Sequence, residues 1–93
     1  MMKAGPCVYI LQCQDKSLYT GWTMDVNRRL KQHQQGKASK YTRARTPVEI
    51  VFLEYHYDKI AAMKREWQIK SLGRKQKLLL ISSAEFNELE SAP

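Results

Sequence analysis

Two β-forming runs separated by a short polar segment stand near the start of the chain, within VYILQCQDKSLYTGWT at residues 8–23. Residues 7–13 hold four consecutive apolar or aromatic β-formers, and residues 18–22 form the second run. The intervening QDKS is rich in turn-forming residues. The sequence therefore predicts a β-hairpin, in which successive side chains of each strand point to opposite faces.

The length of the hairpin loop decides whether Tyr9 and Tyr19 share a face of the sheet. A three-residue loop at 13–15 would pair them directly, and a five-residue loop would keep them on one face with an offset. A two-residue loop would separate them, but the Asn-Gly or Gly-Gly that favours such a turn is missing here. We expect one shared face, with Gly21 leaving room for close approach of a backbone or ligand. The competing interpretation is that both tyrosines only pack on the sheet.

A helix and a third strand are predicted after the hairpin. Asp25 is a suitable N-cap for a helix over 26–35, and Gly36 is suited to the position after its end. Residues 37–47 are interpreted as a basic loop ended by a proline. Residues 48–57, VEIVFLEYHY, are rich in branched and aromatic residues and predict the third strand.

The second half of the chain is predicted to be helical. Asp58 can cap a helix over 59–72, followed by a further helix over 74–81. Ser82 and Glu85 have capping-box spacing for a short additional helix. The predicted order is β-β-α-β-α-α, an α/β fold with a three-stranded, at least partly antiparallel sheet flanked by helices. The 93 residues are expected to form one domain, 1–93, with its core at about 7–81.

The charge of the chain indicates a polyanionic partner. Sixteen Lys and Arg against nine Asp and Glu give a net charge of +7, which favours attraction to polyanions. Residues 28–45 contain no acid at all. Either this segment is a solvated basic surface, or it binds phosphates, with Tyr41 stacking on a base or packing. The candidate nucleic-acid-binding residues are Arg28, Lys31, Lys37, Lys40, Tyr41, Arg43 and Arg45.

Membrane and metal-cluster classes are disfavoured by the sequence. The longest apolar run, LLLI at 78–81, is too short to span a bilayer. The first residues, MMKAGPC, lack the apolar core of a signal peptide, so we expect a cytoplasmic protein with no membrane partner. Cys7 and Cys13 lack paired zinc-ligand spacing and are expected to be thiols on one face of the sheet.

Two helices carry polar residues beside apolar ones. Arg29 and His33 are one turn apart and flank the apolar pair Val26 and Leu30, so they are expected either to bond a backbone carbonyl or to point at a phosphate. In helix 59–72 the predicted core stripe is Ile60, Met63 and Trp67, with Ile69 nearby. Glu66 borders this stripe and is either an ion-pair residue, with Lys64, Arg65 or Lys70, or a ligand for a hard divalent cation.

These residues, taken in order, resemble the GIY-YIG nuclease superfamily. The matching features are VYI at 8–10, YTG at 19–21, Arg29, His33 and Glu66. The resemblance extends from residue 7 to about 81 and is closest to the small single-domain bacterial, YhbQ-like members, which have counterparts of YTRARTPVEIVF and AMKREWQIKSL. Two departures are that VYI stands where the family motif reads Gly-Ile-Tyr, and that an asparagine found after the glutamate in some members has no counterpart.

The resemblance implies roles for five residues. Tyr9 and Tyr19 stand for the tyrosines of the two tripeptides, Arg29 for the catalytic arginine and His33 for a position that holds histidine or tyrosine. Glu66 corresponds to the glutamate that binds Mg²⁺ or Mn²⁺. A tyrosine with its ordinary pKa of about 10 would need a nearby cation to act as a base at neutral pH. Tyr9, Tyr19 and His33 all remain candidates for the group that activates water.

Three functions compete at this point. The first is a metal-dependent endonuclease that hydrolyses phosphodiester bonds in DNA, acting in DNA repair or recombination, with DNA favoured over RNA. The second is a nucleic-acid-binding module of the same fold with little or no cleavage. The third is a basic protein that binds another protein. A carboxylate near phosphates is useful for cleavage and not for binding alone, which favours the first over the second.

Overall fold

A three-stranded antiparallel sheet forms the centre of the fold in the computed structural model, which describes residues 2–83. Its strands are β1 (Cys7–Gln12), β2 (Leu18–Thr23) and β3 (Glu49–Tyr55), in the spatial order β2-β1-β3. Both strand pairs are antiparallel. The predicted α/β class and its three-stranded sheet are confirmed, and β2 and β3 are the two edge strands.

Four helices accompany the sheet: α1 (Val26–Gln34), α2 (Lys40–Arg43), α3 (Lys59–Lys70) and α4 (Arg74–Ser83). The predicted order is confirmed apart from α2, because the segment expected to be only a basic loop contains this one-turn helix. Ser39 begins it, with a side chain that accepts a hydrogen bond from the Thr42 backbone N–H. A polar N-cap satisfies donors that a helix start leaves open, and this allows a turn of helix inside a strongly basic segment.

The predicted helix caps are confirmed by direct contacts. The Asp25 carboxylate accepts from the backbone N–H of Arg28 at 3.2 Å, and Asp58 accepts from that of Ala61 at 2.8 Å. Gly36 has φ +76°, the left-handed conformation expected just after a helix end.

The two faces of the sheet bury two separate apolar clusters. On one face, Tyr9 and Leu11 of β1 pack with Val26 of α1. Cys7 and Cys13 are buried as thiols in this same cluster, as predicted. On the opposite face, Val8 and Ile10 pack with residues of β3 and α3. The α1 and α3 helices therefore cover opposite faces of the sheet.

The predicted core stripe of α3 is wrong. Ile60, Met63 and Trp67 are exposed, with Trp67 at 72 %, whereas Ala62 and Ile69 are fully buried against the sheet. The small alanine lets the helix approach the sheet closely, where a tryptophan would hold it away. The helix is thus rotated so that the larger apolar residues face outward.

The end of the described chain corrects one further expectation. Ser82 lies inside α4, which continues to Ser83, and is not the start of a new helix. The expected partner of that capping box, Glu85, lies outside the described residues. Within residues 2–83, no helix has the length and apolar character needed to cross a membrane.

Candidate active site

The hairpin places both tyrosines on one face of the sheet, as predicted. Tyr9 lies opposite Gly21, and Tyr19 lies opposite Leu11. This register corresponds to a five-residue loop over 13–17 and to the expected offset between the tyrosines. Both side chains therefore project toward α1.

The space beside Gly21 is filled by Tyr9 and not by a ligand. A Cβ at Gly21 would lie 2.5 Å from the Tyr9 Oη and 2.7 Å from its Cζ. Such distances are far below van der Waals contact, so only glycine allows the phenol to lie across β2. The YTG tripeptide thereby sets the position of the tyrosine in the neighbouring strand.

His33 joins the two tyrosines into one buried cluster. Its Nε2 lies 2.9 Å from the Tyr9 Oη, and its ring packs edge-on against Tyr19 with centroids 5.1 Å apart. Both Tyr9 and His33 are almost completely buried, whereas Tyr19 is half-buried. His33 thus bonds a side chain, neither the backbone carbonyl nor the phosphate expected from sequence.

Thr42 of α2 is a member of this cluster that sequence reasoning missed. Its Oγ1 lies 2.9 Å from the His33 Nδ1, and the residue is fully buried. The charged residues around it favoured the interpretation of the whole segment as a basic loop. The signal that could have indicated it is the N-cap Ser39 followed by the helix-compatible KYTR.

Arg29 connects this cluster to the protein surface. Its guanidinium lowers the pKa of the Tyr9 phenol by its charge and its hydrogen-bonding capacity, and its charge also lowers the pKa of His33. It also lines an open pocket between the end of β2 and the start of α1. The other residues lining that pocket are Trp22, Thr23, Met24, Asp25, Arg28 and Gln32.

Burial sets the protonation states of the Tyr9–His33 pair. Burial, with a smaller contribution from Tyr19, raises the pKa of Tyr9 well above its ordinary value, although Arg29 opposes the shift. Burial, followed by the Arg29 charge, lowers the pKa of His33 to about 4. At neutral pH, Tyr9 therefore keeps its proton and His33 is uncharged.

A second set of contacts supports Tyr19 from the side of α2. The Tyr41 ring stacks near it, with centroids 6.1 Å apart and an interplanar angle of 25°. Arg45 lies over the Tyr41 ring at 4.0 Å and forms an ion pair with Asp15 of the hairpin loop at 3.0 Å. Tyr41 therefore packs on Tyr19, and Arg45 is already engaged within the protein.

The remaining candidate nucleic-acid-binding residues form an exposed basic surface. They lie on α1, on α2 and in the connection between these helices, and their side chains face solvent. The set comprises Arg28, Lys31, Lys37, Lys40 and Arg43. With Tyr41 at their border, they adjoin the helices that carry Arg29, His33 and Thr42.

Glu66 lies apart from the tyrosine cluster, on the sheet-facing side of α3. It is in line with the buried Ala62 and Ile69, and its side chain is only 19 % exposed. Its carboxylate contacts Lys70 at 3.2 Å, one of the ion pairs expected from sequence. Because α3 packs against β1 and β2, Glu66 belongs to a helix on the face of the sheet opposite to α1, which carries Arg29. Both residues lie near β2, since Arg29 lines a pocket with Trp22 and Thr23 of that strand.

Over residues 2–83 no group of three or more His, Cys, Asp or Glu side chains is arranged to hold a metal ion. A cation at Glu66 would thus have no more than two His, Cys, Asp or Glu side chains of this part of the chain as ligands, Glu66 being one of them. A single hard carboxylate oxygen, completed by water and phosphate oxygens, fits the coordination that Mg²⁺ commonly adopts. The donor chemistry of Glu66 is therefore suited to this cation.

Comparison with known proteins identifies the family. The sequence model of the GIY-YIG catalytic domain matches residues 5–78. The chain belongs to the GIY-YIG family.

Small proteins of similar length share this GIY-YIG domain. A UPF0213 protein of Clostridium perfringens is 52 % identical over 81 residues, covering 87 % of both chains. A UPF0213 protein of Natronomonas pharaonis is 51 % identical over 81 residues, covering 87 % of this chain and 95 % of the relative. The chain is accordingly one of the small YhbQ-like members that its sequence resembled.

Solved structures agree with the fold. The solution NMR structure of a UPF0213 protein from Bacillus halodurans is 47 % identical, with a TM-score of 0.55 and coverage of 83 % of this chain and 82 % of the other. That of an E. faecalis protein is 34 % identical, with a TM-score of 0.57 and coverage of 88 % and 90 %. A GIY-YIG domain is a nuclease-type domain, and its substrate class is nucleic acid.

Proposed function

We propose that this protein is a metal-dependent endonuclease that hydrolyses phosphodiester bonds in DNA. The observation that carries the proposal is the position of Arg29, which lines the open pocket and also contacts the buried Tyr9–His33 pair. A cation held at the border between a rigid polar cluster and solvent is suited to bind a phosphate entering the pocket. The basic surface of α1 and α2 adjoins it.

Arg29 would stabilise the charge that builds on the phosphate during attack by water. A guanidinium can donate two parallel hydrogen bonds to the non-bridging oxygens, and these strengthen as negative charge develops. The buried Tyr9 phenol faces the Arg29 guanidinium, which acts on it by charge and hydrogen-bonding capacity, and so limits how far the guanidinium can move. Tyr9 is thus assigned a positioning role.

Tyr19 is the proposed residue for orienting the attacking water and, once its own phenolic proton has passed to solvent, for receiving the proton of that water. The buried Tyr9 keeps its own proton, and the Nε2 of His33 is occupied by Tyr9. Tyr19 is the half-buried member of the cluster, and Tyr41 and His33 hold its ring from two sides. Among the three candidates named from sequence, it has the best access to solvent.

Glu66 is the proposed ligand for Mg²⁺ or Mn²⁺. Such a cation, when bound, polarises the phosphate and stabilises the leaving oxygen. Burial of Glu66 beside the sheet fixes the carboxylate and limits its hydration. The ion pair between Lys70 and the Glu66 carboxylate would have to break when the metal binds.

The first test is a cleavage assay on a panel of substrates. Branched, single-stranded and double-stranded DNA and the matching RNAs are incubated with the protein, with and without Mg²⁺ or Mn²⁺. We expect metal-dependent cleavage of DNA. Binding without cleavage under every condition would instead indicate a nucleic-acid-binding module, and cleavage of RNA alone would contradict the proposed substrate.

Two variants then separate catalysis from binding. Glu66→Ala should abolish cleavage, while DNA binding without metal stays unchanged or becomes slightly tighter because a negative charge is lost. Arg29→Ala should weaken binding and, by analogy with a lost oxyanion donor, lower the rate roughly 10²–10³-fold. Glu49→Ala, which removes an exposed carboxylate from β3, is the matched control and should cleave normally. A folded Glu66→Ala protein that cleaves at the parental rate would exclude the metal site.

A further inference from the structure

A chain of side-chain hydrogen bonds runs from the candidate active site into α2. It passes from Tyr9 to His33 and from His33 to Thr42, each at 2.9 Å. The Thr42 hydroxyl then lies 3.5 Å from the backbone carbonyl oxygen of Ser39. The three side chains are almost completely buried, with exposures of 1 % or less. Water is therefore excluded as an alternative partner for their polar atoms.

The two ends of this chain determine its direction. At one end, the Arg29 guanidinium acts on the Tyr9 phenol and can only donate, so the Tyr9 oxygen faces a donor and the Tyr9 hydrogen is left for His33. At the other end, the Thr42 hydroxyl donates toward Ser39, whose carbonyl and hydroxyl oxygens lie 3.5 and 3.4 Å away, and its own oxygen is left to accept from His33. Both ends favour the same state of the imidazole, with its proton on Nδ1 and a lone pair on Nε2.

We propose that Thr42 is a positioning residue for the active site, because its hydroxyl selects the Nδ1-protonated tautomer of His33 and thereby orients Tyr9 and Arg29. With the other tautomer, Nε2–H would donate to the Tyr9 oxygen and compete with Arg29 for its lone pairs. The Tyr9 hydrogen would then have no partner among these residues. Thr42 acts through His33 and Tyr9 and does not itself reach the pocket.

The hydrogen bond between His33 and Thr42 also joins the active site to the proposed nucleic-acid surface. Thr42 lies in α2 between Tyr41 and Arg43, whose side chains are exposed. A phosphate backbone bound at α2 would therefore contact the helix whose Thr42 side chain hydrogen-bonds His33. This assignment extends the proposed function, but the tautomer of His33 can be measured whether or not the protein cleaves DNA.

The decisive measurement is the ¹⁵N NMR spectrum of the histidine rings in the full-length protein at neutral pH. We expect His33 to have a protonated Nδ1 and an unprotonated Nε2. Thr42→Val, which keeps the shape and removes the hydroxyl, should shift His33 to the Nε2-protonated tautomer, and Thr42→Ser should retain the parental tautomer. An Nε2-protonated His33 in the parent, or no change in Thr42→Val, would overturn the proposal.

Cleavage supplies a second readout if the protein is a nuclease. Thr42→Val should lower the rate at saturating substrate roughly 10- to 100-fold, by analogy with the loss of a group that orients a metal-binding histidine. Binding should be unchanged, and Thr42→Ser should restore most of the rate. If Thr42→Val does not fold, the tautomer of the parent and the rate of Thr42→Ser still decide the proposal.

The matched control is Thr20→Val. Thr20 is also a buried threonine, but it lies on β2 opposite Ile10, whose side chain belongs to the other face of the sheet. Within the described chain its hydroxyl has no hydrogen-bond partner. This variant should leave the His33 tautomer and the cleavage rate unchanged. A rate loss equal to that of Thr42→Val would attribute the effect to core packing and overturn the positioning role.

Discussion

The absence of a side chain at Gly21 determines where the Tyr9 phenol lies. The ring of Tyr9 crosses directly over Gly21, and its hydroxyl reaches His33 beyond it. A glycine in a strand ordinarily weakens the strand, because it adds backbone entropy to the unfolded chain and offers no side chain to pack. Here that cost is offset by the buried contacts of the aromatic ring.

Gly21→Ala is expected to destabilise the protein by about 1–3 kcal/mol, the usual cost of overpacking. The added methyl would overlap the phenol oxygen, and Tyr9 cannot turn away without breaking its bond to His33. Urea unfolding measures the loss. His33 ring signals in NMR should change in the same variant because its partner moves.

The control for this substitution is Gly73→Ala. A Cβ at Gly73 meets no atom within 4 Å, and this residue does not have the positive φ of Gly36. Its effect on the free energy of unfolding should be small. Equal stability of the two alanine variants would show that the Tyr9 ring adapts easily and that Gly21 does not position it.

At the scale of elements, α3 shows that apolar content does not determine which side of a helix is buried. The helix carries large apolar residues on one side and the small Ala62 with Ile69 on another. The sheet selects the second side, where the alanine allows close packing. This rotation also turns Glu66 toward the sheet, in line with Ala62 and Ile69.

The rotation of α3 predicts opposite outcomes for two substitutions on the same helix. Ile69→Ala should cost about 2–5 kcal/mol because it opens a cavity in the core. Trp67→Ser should change the free energy of unfolding by no more than about 0.5 kcal/mol, since this side chain is mostly exposed. Denaturant unfolding of both variants tests this. A larger loss of unfolding free energy for Trp67→Ser would instead support the core stripe of Ile60, Met63 and Trp67 predicted from sequence.

At the scale of the whole molecule, ion pairs determine which positive charges are neutralised within the protein and which are not. Three carboxylates neutralise basic side chains locally: Asp15 pairs with Arg45, Glu54 with Arg65, and Glu66 with Lys70. The exposed basic residues of α1, α2 and their connection have no such partner among the described residues. Five positive charges, those of Arg28, Lys31, Lys37, Lys40 and Arg43, are therefore available for an external anion on this side of the protein.

Salt dependence of DNA binding tests this distribution. If four or five of those exposed side chains contact phosphates, log K should fall with log[salt] at a slope of roughly −3.5 to −4.5 on duplex DNA. The double variant Lys37→Ala and Lys40→Ala should reduce the magnitude of the slope by about 1.8. Affinity is measured by fluorescence anisotropy over a range of salt concentrations.

The charge-matched control removes two lysines from the other side of the molecule, Lys59→Ala with Lys75→Ala. It lowers the net charge equally but should leave the slope close to that of the parent. An equal reduction in both double variants would mean that net charge alone drives binding. A parental slope near zero would favour a protein as the partner of the basic surface.

Local sequence alone determined the order of elements apart from α2, the helix caps at Asp25 and Asp58, and the shared face of Tyr9 and Tyr19. Each depends on neighbours a few residues away: side-chain capping of backbone donors, strand propensity, and the two-residue period of a strand. The family resemblance added Arg29, His33 and Glu66 as site residues. Their contacts could not be read from it.

Only the tertiary structure decided which groups meet. The bond from His33 to Thr42, the filling of the Gly21 space by Tyr9 and the rotation of α3 all join residues that are distant in sequence or depend on packing against the sheet. A helix with apolar residues on several sides has no local signal for its orientation. The buried side is selected by the shape of the surface it meets, and so is the direction in which its polar residues point.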